Sequence, residues 1–312
     1  MNIQVTKKIP LRIAVLDMNN GFKNQGIGCI NDILAESQES WKKRHNENLN
    51  LDIKHFRVRD FGEVPKHTFD VYISSGGPGD PHDGEGLQWE KDYFHLLDDV
   101  VDHNLAKQRK TYFFAICHSF QVLTRHFKFA EVCDAPRSVY GIMPAYPTPV
   151  GMTGYLLEGL GERFFAFERR NYQVVHPDQA MLTNLGAEIL ALESRHGLRG
   201  KAVMTLGIGE EIQATQFHPE ADRDAVLRNF LDPEKHSHII EHNGEELFQK
   251  MLVSLQAEDR VKRTRDVIIP RFLMRAYHYL LDIDNRRTPR PTKEPQWVTD
   301  AHTEVEDLLY EV

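Results

Sequence analysis

The sequence predicts an α/β protein: a mostly parallel open sheet with helices on both faces, followed by an α-helical C-terminal extension. Three observations carry this. Apolar, β-rich runs alternate with helix-periodic segments over the first two-thirds of the chain. Short strand-like segments crowd the middle. Beyond residue 231 helix-periodic segments predominate. The expected division is an α/β domain over 1–231 and a helical extension over 232–312.

The elements follow in order. Residues 11–16 are a β-rich run ending at Asp17, and Asn19-Asn20-Gly21 makes a turn. A helix over about 25–44 places Ile27, Ile30, Ile33 and Leu34 on one face. Residues 51–58 and 70–74 are the next strands. A Gly-Pro loop leads to a helix over 87–101, a strand over 110–116 and a short helix after Cys117. This alternation implies parallel strands joined by crossover helices. The runs 139–145, 164–169, 188–193, 202–206 and 211–217 read as an antiparallel extension that returns His218 to the sheet edge, and a helix over 222–231 closes the unit. Past a polar junction at Pro233, His236 and His238, the residues Leu247, Met251, Leu252 and Leu255 share a helix face. A second helix is expected over 268–281, with Pro270 in its first turn. A basic, proline-punctuated connector (286–291) and a short acidic helix (304–310) complete the chain. The apolar stripes of the extension require burial, against the α/β domain or a second copy of the chain.

Composition narrows the function. With 38 basic and 46 acidic residues the net charge is -8, which speaks against nucleic acid as a partner. Residues 1–10 lack the apolar core of a signal peptide, and no apolar run approaches the ~20 residues of a membrane span. Three cysteines with no Cys-x-x-Cys pair make no disulfide framework, so a reduced, cytoplasmic protein is expected. Cys29 and Cys133 read as core thiols, and His82, Asp83 and Glu85 as a solvated loop rather than metal ligands. No metal or organic cofactor is expected, and neither a P-loop nor an adenylation-type loop occurs.

Chemistry concentrates at three strand ends. Tyr112-Phe113-Phe114-Ala115-Ile116-Cys117-His118-Ser119-Phe120-Gln121 reads as strand, sharp turn and helix, the arrangement of a nucleophile elbow. It pushes the sulfur out of the sheet and places it at a helix N-terminus, where backbone N–H groups favour thiolate. The His118 N–H faces the same point and is suited to a developing oxyanion. Alone, this run fits a buried thiol equally well. The loop Ser74-Ser75-Gly76-Gly77-Pro78-Gly79-Asp80-Pro81 follows a strand directly, and its glycines let backbone amides approach a ligand; Gly77 is placed as a second oxyanion donor. Gln216-Phe217-His218-Pro219-Glu220 supplies an imidazole and, across a stiff proline, a carboxylate to orient it. Elbow, glycine loop and His-Pro-Glu together point to cysteine-based nucleophilic catalysis.

This combination resembles the class I (triad-type) glutamine amidotransferase domain, a flavodoxin-like fold, over about residues 11–231. The resemblance implies Cys117 as nucleophile, His218 as general base and Glu220 as its partner. It matches Gly77 and His118 to the oxyanion amides, adds Gly79 of the same loop to the substrate-binding set, and matches Gln121 to a glutamine-contacting residue. Tyr140-Gly141-Ile142 is similar to the family's segment that closes over the substrate, and Val175-His176-Pro177-Asp178 to a segment lining the site. Ala115 and Ser119 replace the two elbow glycines, and Val175 replaces a serine.

The resulting expectation is a glutaminase-type hydrolase that cleaves the side-chain amide of glutamine, or a γ-glutamyl amide, through a γ-glutamyl thioester. The ammonia or amine goes to a separate synthase subunit, or the protein acts as a hydrolase in its own right. Two rivals stand beside it: a homoserine O-acyltransferase-like enzyme, similar in triad and tail, and a non-catalytic ligand-binding regulator.

Overall fold

The computed structural model describes residues 10–23, 25–194, 201–232, 237, 240–241, 244–256 and 260–284. Its strands are β1 (Leu11–Asp17), β2 (Leu51–Arg57), β3 (Val71–Ser74), β4 (Tyr112–Ile116), β5 (Glu131–Pro147), β6 (Phe164–Val175), β7 (Ala187–Leu192), β8 (Val203–Ile208) and β9 (Ile212–Thr215). They form one sheet in the order β2-β1-β3-β4-β9-β8-β7-β5-β6. The pairs β2-β1, β1-β3, β3-β4 and β4-β9 are parallel, and the remaining pairs are antiparallel. The parallel half and its antiparallel extension are those expected.

Burial explains the strand types. Every residue of β3, β4 and β9 is buried, as suits parallel strands covered on both faces. β2 lies at the edge and exposes Lys54 and His55. The helices of this half are α1 (Gln25–His45), α2 (Val58–Phe61), α3 (Gln88–Ala106) and α4 (His118–Phe127). In α1 the residues Ile30, Ile33, Leu34, Ser37 and Trp41 turn inward at helical spacing, and Lys42 to His45 place positive charge on its C-terminal turn.

Alternate residues of each central strand serve opposite cores. Ala14, Tyr72 and Phe113 pack with α3 and α4. Ile13, Ile73 and Phe114 pack with α1 and with a helix from the far end of the chain. The intervening helices are α5 (Pro149–Thr153), α6 (Gln179–Leu185), α7 (Arg223–Leu231) and α8 (Glu245–Gln256). That far helix is α9 (Arg260–Asp284), and its Ile268, Ile269, Phe272, Leu273, Ala276, Tyr277 and Leu280 are wholly buried.

Several local expectations change. Helix α9 starts eight residues earlier than the apolar run suggested, so Pro270 lies inside it rather than in its first turn. The early turns are anchored by other means: Thr264 Oγ1 donates to Phe165 O at 2.5 Å, and Arg265 holds Glu36 through two bonds of 2.8 and 2.9 Å. These outweigh the single backbone bond that a proline removes. In α8 the buried residues are Phe248 and Leu255, with Leu252 half-buried; the side chains of Leu247 and Met251 lie outside those described. Strands β5 and β6 form a ribbon far longer than 139–145 and 164–169, with a register shift between Asp134 and Val139. Its outer part is polar and exposed, so hydrophobic alternation does not mark it. Cys133 sits half-buried there, not in the core. Pro233, His236, His238 and segments 286–291 and 304–310 lie outside the described residues. No helix among the described residues is long and apolar enough to cross a membrane.

The packing of α9 is testable. The Phe272 ring meets Phe114 edge-on at 5.1 Å and Tyr112 at 5.9 Å between centroids. Phe272→Ala is expected to lower the unfolding free energy by about 3–5 kcal/mol in urea titrations; an effect below ~1 kcal/mol would show that α9 is not part of the core.

Candidate active site

The site forms where β3, β4 and β9 end on one edge of the sheet, as strand ends do in open parallel sheets. Cys117 directly follows β4 and adopts φ 50°, ψ -101°, a left-handed backbone rarely taken by a residue with a side chain. Two backbone bonds hold it: Cys117 N donates to Thr215 O of β9 at 2.7 Å, and Gln121 N donates to Cys117 O at 3.0 Å. His118 is the first residue of α4, so its N–H has no carbonyl partner within the helix and is available beside the sulfur.

Ala115 and Ser119, which stand in for elbow glycines, are both accommodated. Ala115 is fully buried in register with Ser74 and Ala214. The Ser119 hydroxyl joins a buried network, 2.7 Å from Ser74 Oγ and donating to Ser75 O at 2.6 Å, while Tyr93 OH donates to Ser74 Oγ at 2.9 Å. The elbow is thereby tied to the base of the glycine loop.

The loop glycines have separate reasons. A Cβ on Gly77 would lie 2.1 Å from Met18 O, so only glycine lets the loop pass the end of β1. Arg59 clamps the same stretch, donating to Met18 O at 3.2 Å and Pro78 O at 2.5 Å. Gly79 has φ +91°, again a glycine conformation. Gly76, which the sequence did not single out, faces the chemistry: a Cβ there would be 2.7 Å from His218 Cε1 and 3.4 Å from Cys117 Cβ. Cys117 and His218 therefore flank one glycine.

His218 follows β9 and is fixed by its N–H to Phe167 O of β6 at 2.8 Å. Its Nδ1 lies 2.8 Å from Glu220 Oε1, and the Cys117 sulfur is close enough to act on the ring electrostatically. Burial pulls the imidazole toward neutrality, but the Glu220 carboxylate and the Cys117 sulfur outweigh it and hold His218 well above its ordinary range. The His118 ring is the opposite case. Buried, without a partner for either nitrogen among the described residues, and near Arg59 and Arg125, it is driven down to about 3 and stays neutral.

A cavity of about 830 Å³ opens onto the sulfur. Of the expected residues, Cys117, His218, Glu220, Gly77, Gly79, Gln121 and Tyr140 line it. Gly141 (φ +135°) and Ile142 continue β5 beyond Tyr140 and are not on its wall. His176 is not there either. Its imidazole is exposed at the start of the ribbon, 2.9 Å from Glu131 Oε2, so a motif match placed it wrongly. Cys29 is buried but lies on the cavity wall, 3.5 Å from Asp222 Oδ2. His82 is held by Glu85 and Val132 O, as fits a structured loop.

Sequence reasoning missed Gln216 and Arg169. Gln216 Nε2 donates to Cys117 Sγ at 3.8 Å, while Gln121 Nε2 donates to Gln216 Oε1 at 3.3 Å. Arg169 contributes its carbonyl, 3.8 Å from the sulfur, and its side chain to the cavity. The available signal for Gln216 was a polar residue in an otherwise apolar run two residues before His218.

No family model matches the sequence, and no curated protein does. Solved structures do. A glutamine amidotransferase from Thermotoga maritima superposes with a TM-score of 0.58 at 15% identity, covering 86% of this chain and 99% of that one. A glutamine amido transferase from Methylobacillus flagellatus gives 0.55 at 16% identity, covering 88% and 95%. At such identities the likeness is one of fold, and it spans nearly the whole of both neighbours.

The geometry around Gly76 yields a test independent of any substrate. Gly76→Ala must displace the imidazole or the sulfur while leaving the strands intact. Alkylation of Cys117 by iodoacetamide near neutral pH is expected to slow by about tenfold or more; an unchanged rate with an unchanged far-UV spectrum would show that the two side chains do not meet there.

Proposed function

We propose that the chain is a cysteine-dependent amide hydrolase of the glutamine amidotransferase type, acting on the side-chain amide of glutamine or on a γ-glutamyl amide. The observation that carries this reading is the placement of Cys117 and His218 around Gly76, with His218 bonded to Glu220 and Cys117 on a strained elbow at the head of α4, opening into a cavity.

The mechanism follows from the positions. The Cys117 sulfur attacks the amide carbon. The tetrahedral oxyanion settles on backbone N–H groups, His118 and a loop glycine, of which each typically contributes ~3–4 kcal/mol to lowering the barrier. The C–N bond breaks as His218 gives its proton to the departing nitrogen. Water, deprotonated by the same imidazole, then hydrolyses the thioester to a free carboxylate and regenerates the thiol. Glu220 keeps Nδ1 protonated and stabilises the cation. Ammonia released from glutamine passes to a separate synthase subunit or to solvent.

Glutamate release from glutamine and from γ-glutamyl dipeptides tests the reading. Cys117→Ser is expected to abolish it with the fold retained, and near-normal turnover would remove Cys117 as nucleophile. His218→Ala should approach the same loss. Glu220→Ala should retain measurable activity, because it orients rather than transfers protons; a Glu220 variant as inactive as Cys117→Ser would refute that division of roles.

The pH profile gives a further check. His218 is raised, so its proton and the stabilisation of the charged pair are present at low pH and are lost as pH rises through its folded value. The alkaline limb of kcat/KM should therefore lie well above the ordinary histidine value of ~6.5. Glu220→Gln removes the strongest raising influence and should move that limb to lower pH. An unmoved limb would mean that His218 is not the group observed.

A further inference from the structure

The cavity is too large for glutamine alone. About ten heavy atoms, at roughly the 30 Å³ that a water molecule occupies, come to about 300 Å³. The space beside Cys117 is about 830 Å³. Which half of a larger substrate occupies the remainder follows from His218. The departing nitrogen must lie against the imidazole that protonates it, so the amine half lies along the wall that starts there.

That wall is aromatic and ends in a cation. The Phe167 ring is 5.9 Å from the His218 ring, and Tyr140 meets Phe167 edge-on at 5.7 Å. The guanidinium of Arg169 sits 5.8 Å from the centre of the Tyr140 ring. Ala221 and Val226 of the following segment also line the cavity, and both pack with Tyr140 and Phe167. Arg169 is exposed and has no carboxylate partner among the described residues. Its neighbour Arg170, by contrast, is bonded to Glu168 at 2.7 Å and Glu193 at 3.0 Å. One cation is neutralised by the protein, and the other is left facing the cavity beyond an apolar shelf.

We propose that the amine half of the substrate is an apolar amino acid, its side chain on the Tyr140–Phe167 shelf and its carboxylate on Arg169. The substrate is then a γ-glutamyl dipeptide. This rests on the amide-hydrolase reading above. The reaction balances without a co-reactant: the sulfur bonds the γ-carbonyl carbon, the C–N bond breaks, His218 protonates the nitrogen, and the free amino acid leaves. Water then releases glutamate.

The full chain is assayed for glutamate release from glutamine, γ-glutamyl-phenylalanine and the C-terminal carboxamide of γ-glutamyl-phenylalanine. The acid dipeptide is expected to exceed both others in kcat/KM by about tenfold or more, as a charged hydrogen-bonded pair implies. Arg169→Ala should remove the preference for acid over carboxamide, chiefly through KM, and Arg169→Lys should restore part of it. Arg169 is exposed, so these variants are expected to fold. Glutamine turned over as well as the dipeptide, or an acid-to-carboxamide ratio that Arg169→Ala leaves unchanged, overturns the assignment while leaving the hydrolase reading in place. No glutamate from any of the three, with Cys117 still alkylated normally, overturns both.

Discussion

The backbone of one residue governs this site. Cys117 holds a left-handed conformation that costs of order 1–3 kcal/mol, and only surroundings that leave it no alternative can maintain it. The bond from its N–H to Thr215 O requires β9 to run beside β4, and the bond from Gln121 N requires α4 to start at once. The parallel pairing of β4 with both β3 and β9 thus does more than build a core. It fixes the angle at which the sulfur leaves the sheet.

Around this turn, space is distributed by the smallest residues. Gly77 lets the loop cross the end of β1, and Gly76 leaves room for the imidazole. The buried hydroxyls of Ser74 and Ser119 join loop and elbow into one rigid unit. His218 arrives from the other side, fixed by a single backbone bond to β6, the strand that also carries Phe167 and Arg169. Cys117 is therefore tied to β9 and α4, and His218, which follows β9, to β6. His218 shares its strand partner with the wall of the cavity, so changes in that wall reach its imidazole through one peptide unit.

Much of this was legible in the residues alone, for identifiable reasons. Strands β3 and β4 are buried on both faces and appear as unbroken apolar runs, so their ends, and the polar residues that follow them, could be placed. The β5–β6 ribbon could not, because its outer part is solvated on both faces and has no apolar alternation to read. Pro270 misled because a proline's local cost is small beside the burial of a whole helix face. His176 misled because a short motif carries no information on which side of a ribbon its side chain falls. Gly76 and Gly77 are adjacent and identical in sequence, and only the folded loop separates the one that faces the imidazole from the one that faces a carbonyl. Gln216 and Arg169 act through contacts with residues 99 and 52 positions away, a range beyond any local pattern.

The place of α9 bears on how the chain is made. Residues 268–280 are synthesised after all nine strands, yet they cover the face of Ile13, Ile73 and Phe114. Until they emerge from the ribosome, the part of that face not covered by α1 is exposed, and exposed apolar surface of this kind associates readily. A chain arrested before α9 would carry every residue of the elbow, the glycine loop and the His-Pro-Glu turn, and still expose the apolar residues that α9 covers. The interval before α9 is added is therefore when the nascent sheet is most open to association.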